Sequence, residues 1–185
     1  MEELTEDILR QAAQGDVNAF EAVYRSYATF VYNVAYRISL NREDAEEVTQ
    51  EVFITVYKQL SSFLFQSSFK TWVYRVTVNS ALNMVKKNKY RRADVAFIDE
   101  AHQGVGEHAV IEAMNNEDNQ EKVKRLLNIL NPDERACVVL RSIENLSYEE
   151  VAQSLNVNIN TIRTRLKRAR EKMMKVSREV IQDEL

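Results

Sequence analysis

The sequence is poor in the residues that break helices and in those that bind metals or form disulfides. Its 185 residues include three glycines, one proline, two histidines and one cysteine. So few glycines and prolines predict a nearly all-helical chain with few tight turns. The single cysteine excludes an intrachain disulfide, and Cys137, set in the apolar run ACVVL, is expected to be buried. Because no histidine lies near a cysteine, no metal and no cofactor are predicted.

Long apolar runs and enzyme motifs are also absent from the sequence. No apolar run reaches the about 18 residues that a membrane-spanning helix needs, and the acidic N-terminal sequence MEELTED does not resemble a signal peptide. A cytoplasmic protein is therefore expected. The sequence has no glycine-rich phosphate loop, metal-ligand cluster or nucleophile–base set, so it does not predict an enzyme.

Charge is segregated along the chain, although the formal net charge is only -3. Residues 59–92 contain seven basic residues and no acidic one, and residues 159–185 contain eight basic and four acidic residues. These two basic blocks alternate with acidic segments. The pattern predicts two separate contacts with a polyanion and leaves acidic surfaces free for other partners.

Helical periodicity divides the chain into two small domains. In the first, residues 1–92, Asp16 and Asn41 are placed to cap amphipathic helices. Residues 93–118 show no sustained period and hold two of the three glycines, which predicts a flexible acidic linker. Residues 119–185 form the second domain. The sequence therefore predicts an all-α protein with two helical domains joined by a linker.

The segment from Ser61 to Arg92 combines aromatic, amide and basic side chains. It opens with phenylalanines among serines, which predicts a loop that displays aromatic rings. From about Lys70 it has helical character, and at about 100° per residue one face collects an indole, two amides and two cations. Such a face suits single-stranded nucleic acid, although an ordinary solvated basic face has the same pattern. The candidate residues are Phe63, Phe65, Ser67, Ser68, Phe69, Trp72, Arg75, Asn79, Asn83 and Lys86.

A helix-turn-helix is predicted near the C-terminal end of the sequence. Ser147 and Glu150 form a capping box at the start of its first helix. Ala152 is the small residue where the helices touch, Asn156 tolerates the left-handed dihedrals of the turn, and Ile162 anchors the second helix. In this motif the outward residues of the second helix meet base edges and phosphates in the major groove. These candidates are Asn160, Thr161, Arg163, Thr164, Lys167, Arg168 and Arg170.

Together these segments resemble the extracytoplasmic-function group of bacterial sigma factors. The resemblance covers almost the full length and rests on AFEAVYRSY, DAEEVTQEVFITVYKQL, SSFKTWVYRVTVNSALNMVKK and LNPDERACVVLRSIENLSYEEVAQSLNVNINTIRTRLKRAREK, in that order. It implies a protein that binds RNA polymerase core enzyme and directs promoter recognition, promoter melting and transcription initiation. Many relatives are controlled by an anti-sigma factor, so such a protein is a further candidate partner.

The resemblance also implies a separate task for each part of the chain. The DAEEVTQEVF helix, on which Asp44, Glu47 and Glu51 share one edge, would dock on the polymerase clamp. The aromatic loop and the helix after it would bind the melted minus-ten element. The second domain would read the minus-thirty-five element as duplex and contact the polymerase flap. The candidate polymerase contacts are Asp44, Glu47, Gln50 and Glu51.

The chain departs from the family at the start of the recognition helix. Here Asn158-Ile159-Asn160-Thr161 stands where the family often has Pro-Val-Gly-Thr, so the geometry of this helix start and the preferred promoter sequence stay open. Two alternatives to the resemblance also stay open. The acidic edge can be an ordinary solvated surface, and the chain can be a helix-turn-helix regulator that binds duplex DNA without polymerase. The second alternative leaves the aromatic and amide residues of the first domain without a role.

Overall fold

The computed structural model describes residues 4–63, 68–96 and 117–183, and all regular structure within these ranges is helical. This confirms the all-α class. No helix in these ranges is both long and apolar enough to cross a bilayer. In chain order the helices are α1 (Glu6–Ala13), α2 (Val17–Ser39), α3 (Arg42–Gln59), a 3-10 turn (Leu60–Ser62), α4 (Phe69–Ala96), α5 (Glu117–Asn128), α6 (Pro132–Val138) with a π-helical continuation (Val139–Ile143), α7 (Tyr148–Leu155) and α8 (Ile159–Asp183).

Short polar side chains begin α2 and α3 where the sequence predicts them. Asp16 Oδ1 accepts a hydrogen bond from the backbone N–H of Ala19, and Asn41 Oδ1 accepts one from that of Asp44, both at 2.8 Å. Each bond satisfies an amide that has no partner within its own helix. Gly15, between α1 and α2, has a φ of +94°, which glycine adopts without strain.

Helices α2, α3 and α4 pack around one core in the first domain. Burial of each aliphatic side chain stabilises the fold by about 1.5–3 kcal/mol, so this core fixes the outward faces of α3 and α4. The side chains with no more than 1% exposure include Val23, Val31, Val34 and Ile38 on α2, Val48, Val52 and Val56 on α3, and Val73, Tyr74 and Val78 on α4.

Helices α6, α7 and α8 pack together in the predicted second domain, and their buried side chains belong to the same apolar cluster as those of α2, α3 and α4. Leu140, Val151 and Ile162 are fully buried there. Cys137 is fully buried as well, which confirms that it acts as a small apolar residue. Burial raises the pKa of the Cys137 thiol to about 11, so the thiol is neutral near pH 7.

The segment between the domains is helical at both of its ends. Helix α4 runs to Ala96 and α5 begins at Glu117, so helix occupies both ends of the segment 93–118 that the sequence predicts to be a linker. The remaining residues of that segment, 97–116, lie outside the described ranges.

The two predicted domains contact each other. Helix α7 packs against α4, and α6 packs against α2. Arg37 and Tyr74 of the first domain both donate hydrogen bonds to the Glu144 carboxylate, at 2.9 and 3.0 Å. Arg135 Nη1 donates to the backbone carbonyl of Ile38 at 2.7 Å. These contacts were not predicted, because the residues that form them are 70 to 107 positions apart in the chain.

Candidate nucleic-acid and protein interfaces

Helices α7 and α8 form the helix-turn-helix that the sequence predicts. Asn156 ends α7 in the left-handed conformation, with φ 51° and ψ 47°, and the N–H of Val157 donates to the Ala152 carbonyl at 3.0 Å. Ser147 Oγ accepts from the N–H of Glu150 at 3.1 Å, and the Glu150 carboxylate accepts from the N–H of Ser147 at 2.8 Å. These bonds hold the pKa of Glu150 below its ordinary value, since they favour the charged form.

Helix α8 begins with an asparagine cap that the sequence interpretation did not assign. Asn158 Oδ1 accepts from the N–H of Asn160 at 2.8 Å, and the Asn158 carbonyl accepts from the N–H of Thr161 at 2.9 Å. This cap answers the question of how the recognition helix starts without the Pro-Val-Gly-Thr sequence. The sequence contained the signal for this cap, because asparagine directly before a helical run is a strong N-cap residue.

The residues predicted to read duplex DNA lie along the outer side of α8. All are exposed except Thr161, which is half-buried. Arg163 Nη1 donates to Asn160 Oδ1 at 3.1 Å, which orients the guanidinium near the start of the helix. Arg165 instead lies 3.1 Å from the Asp133 carboxylate and joins α8 to α6. The exposed candidates are Asn160, Arg163, Thr164, Lys167, Arg168 and Arg170.

A second row of polar side chains lies along α4. Arg75, Asn79, Asn83 and Lys86 are all exposed and follow one another at intervals of four, four and three residues. Side chains at these intervals share one face of a helix, and the row is about 17 Å long at the rise of an α-helix. It therefore offers two cations and two amides to a ligand that runs along the helix.

The aromatic residues beside this row form a cluster. The Phe63 ring lies 5.2 Å from the Trp72 ring and 5.8 Å from that of Phe69, and Phe69 meets Tyr27 edge to face at 5.2 Å. Trp72 and Phe69 are each only 7% exposed, so the prediction that the Trp72 indole lies on the outward face is wrong. The helical wheel assumes one buried side, whereas α2 and Phe63 cover the first turn of α4 on more than one side. Phe63 itself is half-buried.

Of the two serines predicted to contact the minus-ten element, the structure describes only Ser68. Ser68 caps α4: its Oγ accepts from the N–H of Thr71 at 3.1 Å, and its carbonyl accepts from the N–H of Trp72 at 3.1 Å. Ser68 therefore has a structural role, and its contact with the minus-ten element stays a prediction. Phe65 and Ser67, also predicted to contact the minus-ten element, lie outside the described residues.

The acidic edge of α3 faces α4. Both carboxylate oxygens of Asp44 accept from Asn88 Nδ2, at 2.8 and 2.9 Å. The Glu47 carboxylate lies 3.9 Å from the Lys87 ammonium, and both side chains are about 60% exposed. The predicted polymerase contacts therefore differ in their accessibility. The Asp44 carboxylate is hydrogen-bonded to Asn88 within the fold, while the Glu47 carboxylate lies at the surface. Gln50 and Glu51, the remaining two, are also exposed.

A groove of about 440 Å³ lies beside this edge, between α3 and α4. Ile54 within it is 55% exposed, and the nearby Tyr57 is 56% exposed. The sequence interpretation missed both residues because it assigned only the buried side of α3. Exposed apolar side chains with a polar rim are typical of protein-docking surfaces. The groove is lined by Glu47, Gln50, Glu51, Ile54, Asn83, Met84 and Lys87.

A larger groove, of about 660 Å³, lies in the second domain. Two of its residues are methionines, which adapt to the shape of a partner, and Met174 is 49% exposed. The Arg141 guanidinium lies 5.4 Å from the centre of the Tyr148 ring. The sequence interpretation missed this groove because its residues come from α5, α6, α7 and α8. They are Leu126, Val138, Arg141, Ser142, Asn145, Tyr148, Leu166, Arg170, Met173 and Met174.

Comparison with known families and proteins supports the resemblance drawn from the motifs. The family model of Sigma-70 region 2 matches residues 23–91, and that of Sigma-70, region 4 matches residues 120–173. The chain is 31% identical to the ECF RNA polymerase sigma factor SigW of Bacillus subtilis, over 97% of this chain and 100% of the relative. It is 35% identical to the ECF RNA polymerase sigma-E factor of Escherichia coli, over 92% and 93% of the two chains.

Two solved structures share the fold. The sigma factor RpoE of Bartonella quintana, in complex with the anti-sigma factor NepR, aligns with a TM-score of 0.68 at 23% identity, over 88% of this chain and 98% of that one. CnrH, in complex with the cytosolic domain of CnrY, aligns with a TM-score of 0.66 at 20% identity, over 93% and 96% of the two chains.

Proposed function

This chain belongs to the extracytoplasmic-function group of RNA polymerase sigma factors. We propose that separate surfaces of the chain bind core polymerase, duplex promoter DNA and melted promoter DNA. A sigma factor binds RNA polymerase core enzyme and directs promoter recognition, promoter melting and transcription initiation. We propose that this chain does so without an active site of its own. Because its partner polymerase and promoter DNA lie in the cytoplasm, we place the protein there.

One observation supports a sigma factor over an ordinary helix-turn-helix regulator. The chain exposes a recognition helix, α8, and in a separate domain a row of amides and cations on α4. A regulator that binds only duplex DNA needs the first surface and has no use for the second. A protein that recognises a duplex element and also holds melted DNA needs both.

We assign duplex recognition of the minus-thirty-five element to α8. Its exposed arginines can form bidentate hydrogen bonds with guanine in the major groove, while its lysine can neutralise phosphate. Arg163 is the leading candidate for a base contact, because Asn160 orients its guanidinium near the helix start. Lys167 and Arg170, four and seven residues further on, continue the same side of the helix.

The single-stranded minus-ten element is assigned to α4. A melted strand offers unstacked bases and a phosphate backbone, and the row from Arg75 to Lys86 presents amides for the first and cations for the second. The half-buried Phe63 provides a ring close to the start of this row, and the buried Trp72 and Phe69 pack against Phe63. We therefore give Trp72 and Phe69 a positioning role.

Polymerase docking is assigned to the groove between α3 and α4. Glu47, Gln50 and Glu51 form its polar rim, and Ile54 adds apolar area that a partner helix can cover. The methionine-containing groove of the second domain is assigned to the polymerase flap. In Bartonella quintana the similar RpoE was solved with an anti-sigma factor, and we propose a partner of that class for this chain as well.

Reconstitution with purified core polymerase tests this function. We expect the chain and core enzyme to co-elute as a one-to-one complex, and run-off transcription from a genomic promoter library to yield start sites that core enzyme alone does not use. Aligned promoters should share two elements. Duplex binding without co-elution would instead establish a helix-turn-helix regulator.

A further inference from the structure

The hydroxyl of Thr164, on the recognition helix α8, is engaged within the protein. Thr164 Oγ1 donates a hydrogen bond to the backbone carbonyl of Asn160 at 2.9 Å. A bond to the carbonyl four residues back is a common arrangement of threonine in a helix, and it fixes the side chain about its first torsion angle. Because Thr164 is exposed, the group that it leaves available for a ligand is its methyl group.

Thr164 lies on the side of α8 that faces away from the core. Ile162 is fully buried, and Thr164, two residues later, is rotated by about 200° around the helix axis. It belongs to the first two turns of α8, the part of a recognition helix that contacts base edges. The ion pair between Arg165 and Asp133, at 3.1 Å, also fixes α8 against α6. The Thr164 methyl group therefore has a defined position on the outer side of the helix.

Asn160 orients the neighbouring Arg163 as well. Its side-chain oxygen accepts a hydrogen bond from Arg163 Nη1 at 3.1 Å, and its own N–H donates to Asn158 Oδ1 at 2.8 Å. One capped asparagine thus positions both the Arg163 guanidinium and the Thr164 methyl group. Consecutive Cα atoms are about 3.8 Å apart and consecutive base pairs about 3.4 Å apart, so these neighbouring side chains reach bases within about one or two steps of each other.

A methyl group distinguishes one base from the other three in the major groove. Thymine carries a C5-methyl group there, whereas adenine, guanine and cytosine carry hydrogen-bonding groups and no methyl. The other exposed candidates on α8 are an amide and several cations, which suit hydrogen-bonding edges and phosphates. Thr164 is the candidate among them that suits an apolar contact, and the threonine methyl is a known partner of the thymine methyl.

From these contacts we propose that Thr164 determines sequence specificity by contacting a thymine through its methyl group, within about one or two base pairs of the base that Arg163 contacts. The identification of this duplex as the minus-thirty-five element rests on the proposed function. The choice of the methyl group over the hydroxyl does not, because it follows from the hydrogen bond between Thr164 and Asn160.

Two substitutions of similar size separate the methyl group of Thr164 from its hydroxyl. Thr164→Ser keeps the hydroxyl and removes the methyl group, while Thr164→Val keeps the methyl group and replaces the hydroxyl by a second one. The full chain, with and without core polymerase, first selects a duplex from a random library. Each thymine of the selected duplex is then replaced by deoxyuridine, which forms the same base pair and lacks the C5-methyl group.

One thymine of the selected duplex should respond to this replacement. At that position we expect uracil to weaken binding of the parent and of Thr164→Val by about three- to fivefold, the effect of burying one methyl group. Thr164→Ser should bind the thymine and uracil duplexes equally. Binding is measured by competition between the two duplexes for each variant.

Thr49→Ser is the matched control for the protein. Thr49 makes the same kind of bond, to the Ala45 carbonyl at 2.7 Å, but it lies on α3 in the first domain. Its response to uracil should therefore equal that of the parent. A second control changes the DNA: at the responsive position cytosine should bind weakly, and 5-methylcytosine should recover part of the affinity for the parent but not for Thr164→Ser.

The possible outcomes separate this inference from the proposed function. A uracil series without effect on the parent, or with the same effect on the parent and on Thr164→Ser, overturns the role of the methyl group. Loss of the uracil response in Thr164→Val overturns it as well, because the hydroxyl would then contact the base. If a duplex is selected only without polymerase, the proposed function fails while the uracil series still decides the role of Thr164. If neither form of the protein selects a duplex, both are wrong.

Discussion

Asn88 on α4 holds both carboxylate oxygens of Asp44 on α3, at 2.8 and 2.9 Å. This contact joins the helix assigned to polymerase docking to the helix assigned to melted DNA. Of the four predicted polymerase contacts, Asp44 therefore has a role within the fold. Glu47, Gln50 and Glu51 are exposed beside the groove. The docking surface and the stability of the bundle can therefore be tested with different residues.

Reversal of charge at the rim of the groove should abolish polymerase binding. We expect the double change Glu47→Lys and Glu51→Lys to prevent co-elution with core polymerase and to shift the melting temperature little, because exposed charges contribute about 0–1 kcal/mol to stability. The matched control is Glu6→Lys with Glu21→Lys, since both carboxylates are more than half exposed, lie in i,i+4 pairs on α1 and α2, and do not line the groove. Equal co-elution of the two double variants would place docking elsewhere.

Loss of the Asp44 carboxylate should destabilise the first domain. Asp44→Ala removes hydrogen bonds to Asn88 and a negative charge from the first turn of α3, and we expect a loss of about 1–3 kcal/mol in the free energy of unfolding. Urea unfolding of Asp44→Ala, Asn88→Ala and the double variant measures the coupling. The sum of the losses in the two single variants should exceed the loss in the double variant. Strict additivity would mean that the contact does not stabilise the fold.

The duplex contact of α8 should be specific at Arg163 and general at the far end of the helix. Arg163→Ala should weaken binding to a cognate upstream element by about 1–3 kcal/mol and relax base preference at one position. Lys175→Ala should act on all duplexes alike through phosphate charge. Binding profiles on a set of single-base substitutions give both effects. An unchanged profile for Arg163→Ala would remove it from the base-reading residues.

Much of this architecture follows from local signals in the sequence. Asp16, Asn41 and Ser147 cap helices because their short side chains reach orphan amides, and Asn156 adopts the left-handed turn because it tolerates a positive φ. Such features depend on neighbours a few residues away. They were therefore predicted correctly from the sequence alone.

The features that the sequence did not predict depend on contacts between distant residues. Trp72 has the helical spacing of an outward residue, yet the rings of Phe63 and Phe69 cover it. The sequence pattern around Glu144 predicts an ordinary surface carboxylate, yet Glu144 accepts hydrogen bonds from Arg37 and Tyr74 in the other predicted domain. The large groove of the second domain draws on four helices. A periodic pattern defines which side of one helix is apolar, and it does not define which elements meet there.

The buried thiol of Cys137 should make stability depend on alkaline pH. Its pKa is raised to about 11 from an ordinary value of 9.0, so the folded state holds the proton more tightly than the unfolded state. This contribution, on the order of 2–3 kcal/mol, is complete below about pH 9 and is lost as the pH rises towards 11. Urea unfolding at several pH values should show a shallower decline for Cys137→Ala than for the parent. Parallel curves would contradict the raised pKa.

Strand opening should depend on Asn79. Removal of a base from the duplex costs a few kcal/mol of stacking and pairing, and binding of that base by the protein must offset this cost. We expect Asn79, which is exposed between Arg75 and Asn83, to offer its amide to the edge of one non-template base while Phe63 provides a stacking surface worth about 1–3 kcal/mol. Asn79→Ala should then leave polymerase binding and duplex binding intact and lower open-complex formation.

Two measurements distinguish this role of Asn79 from a structural one. Permanganate footprinting should show the loss on a matched promoter and a partial rescue on a template already mismatched across the start region, because the opening cost has been met. Alanine has a higher helix propensity than asparagine, so the melting temperature should stay equal or rise slightly if the side chain only meets DNA. Gln11→Ala, at an exposed amide on α1, is the matched control and should leave opening unchanged. Equal loss on both templates, or a lower melting temperature, would show that the Asn79 amide serves the fold instead of the melted strand.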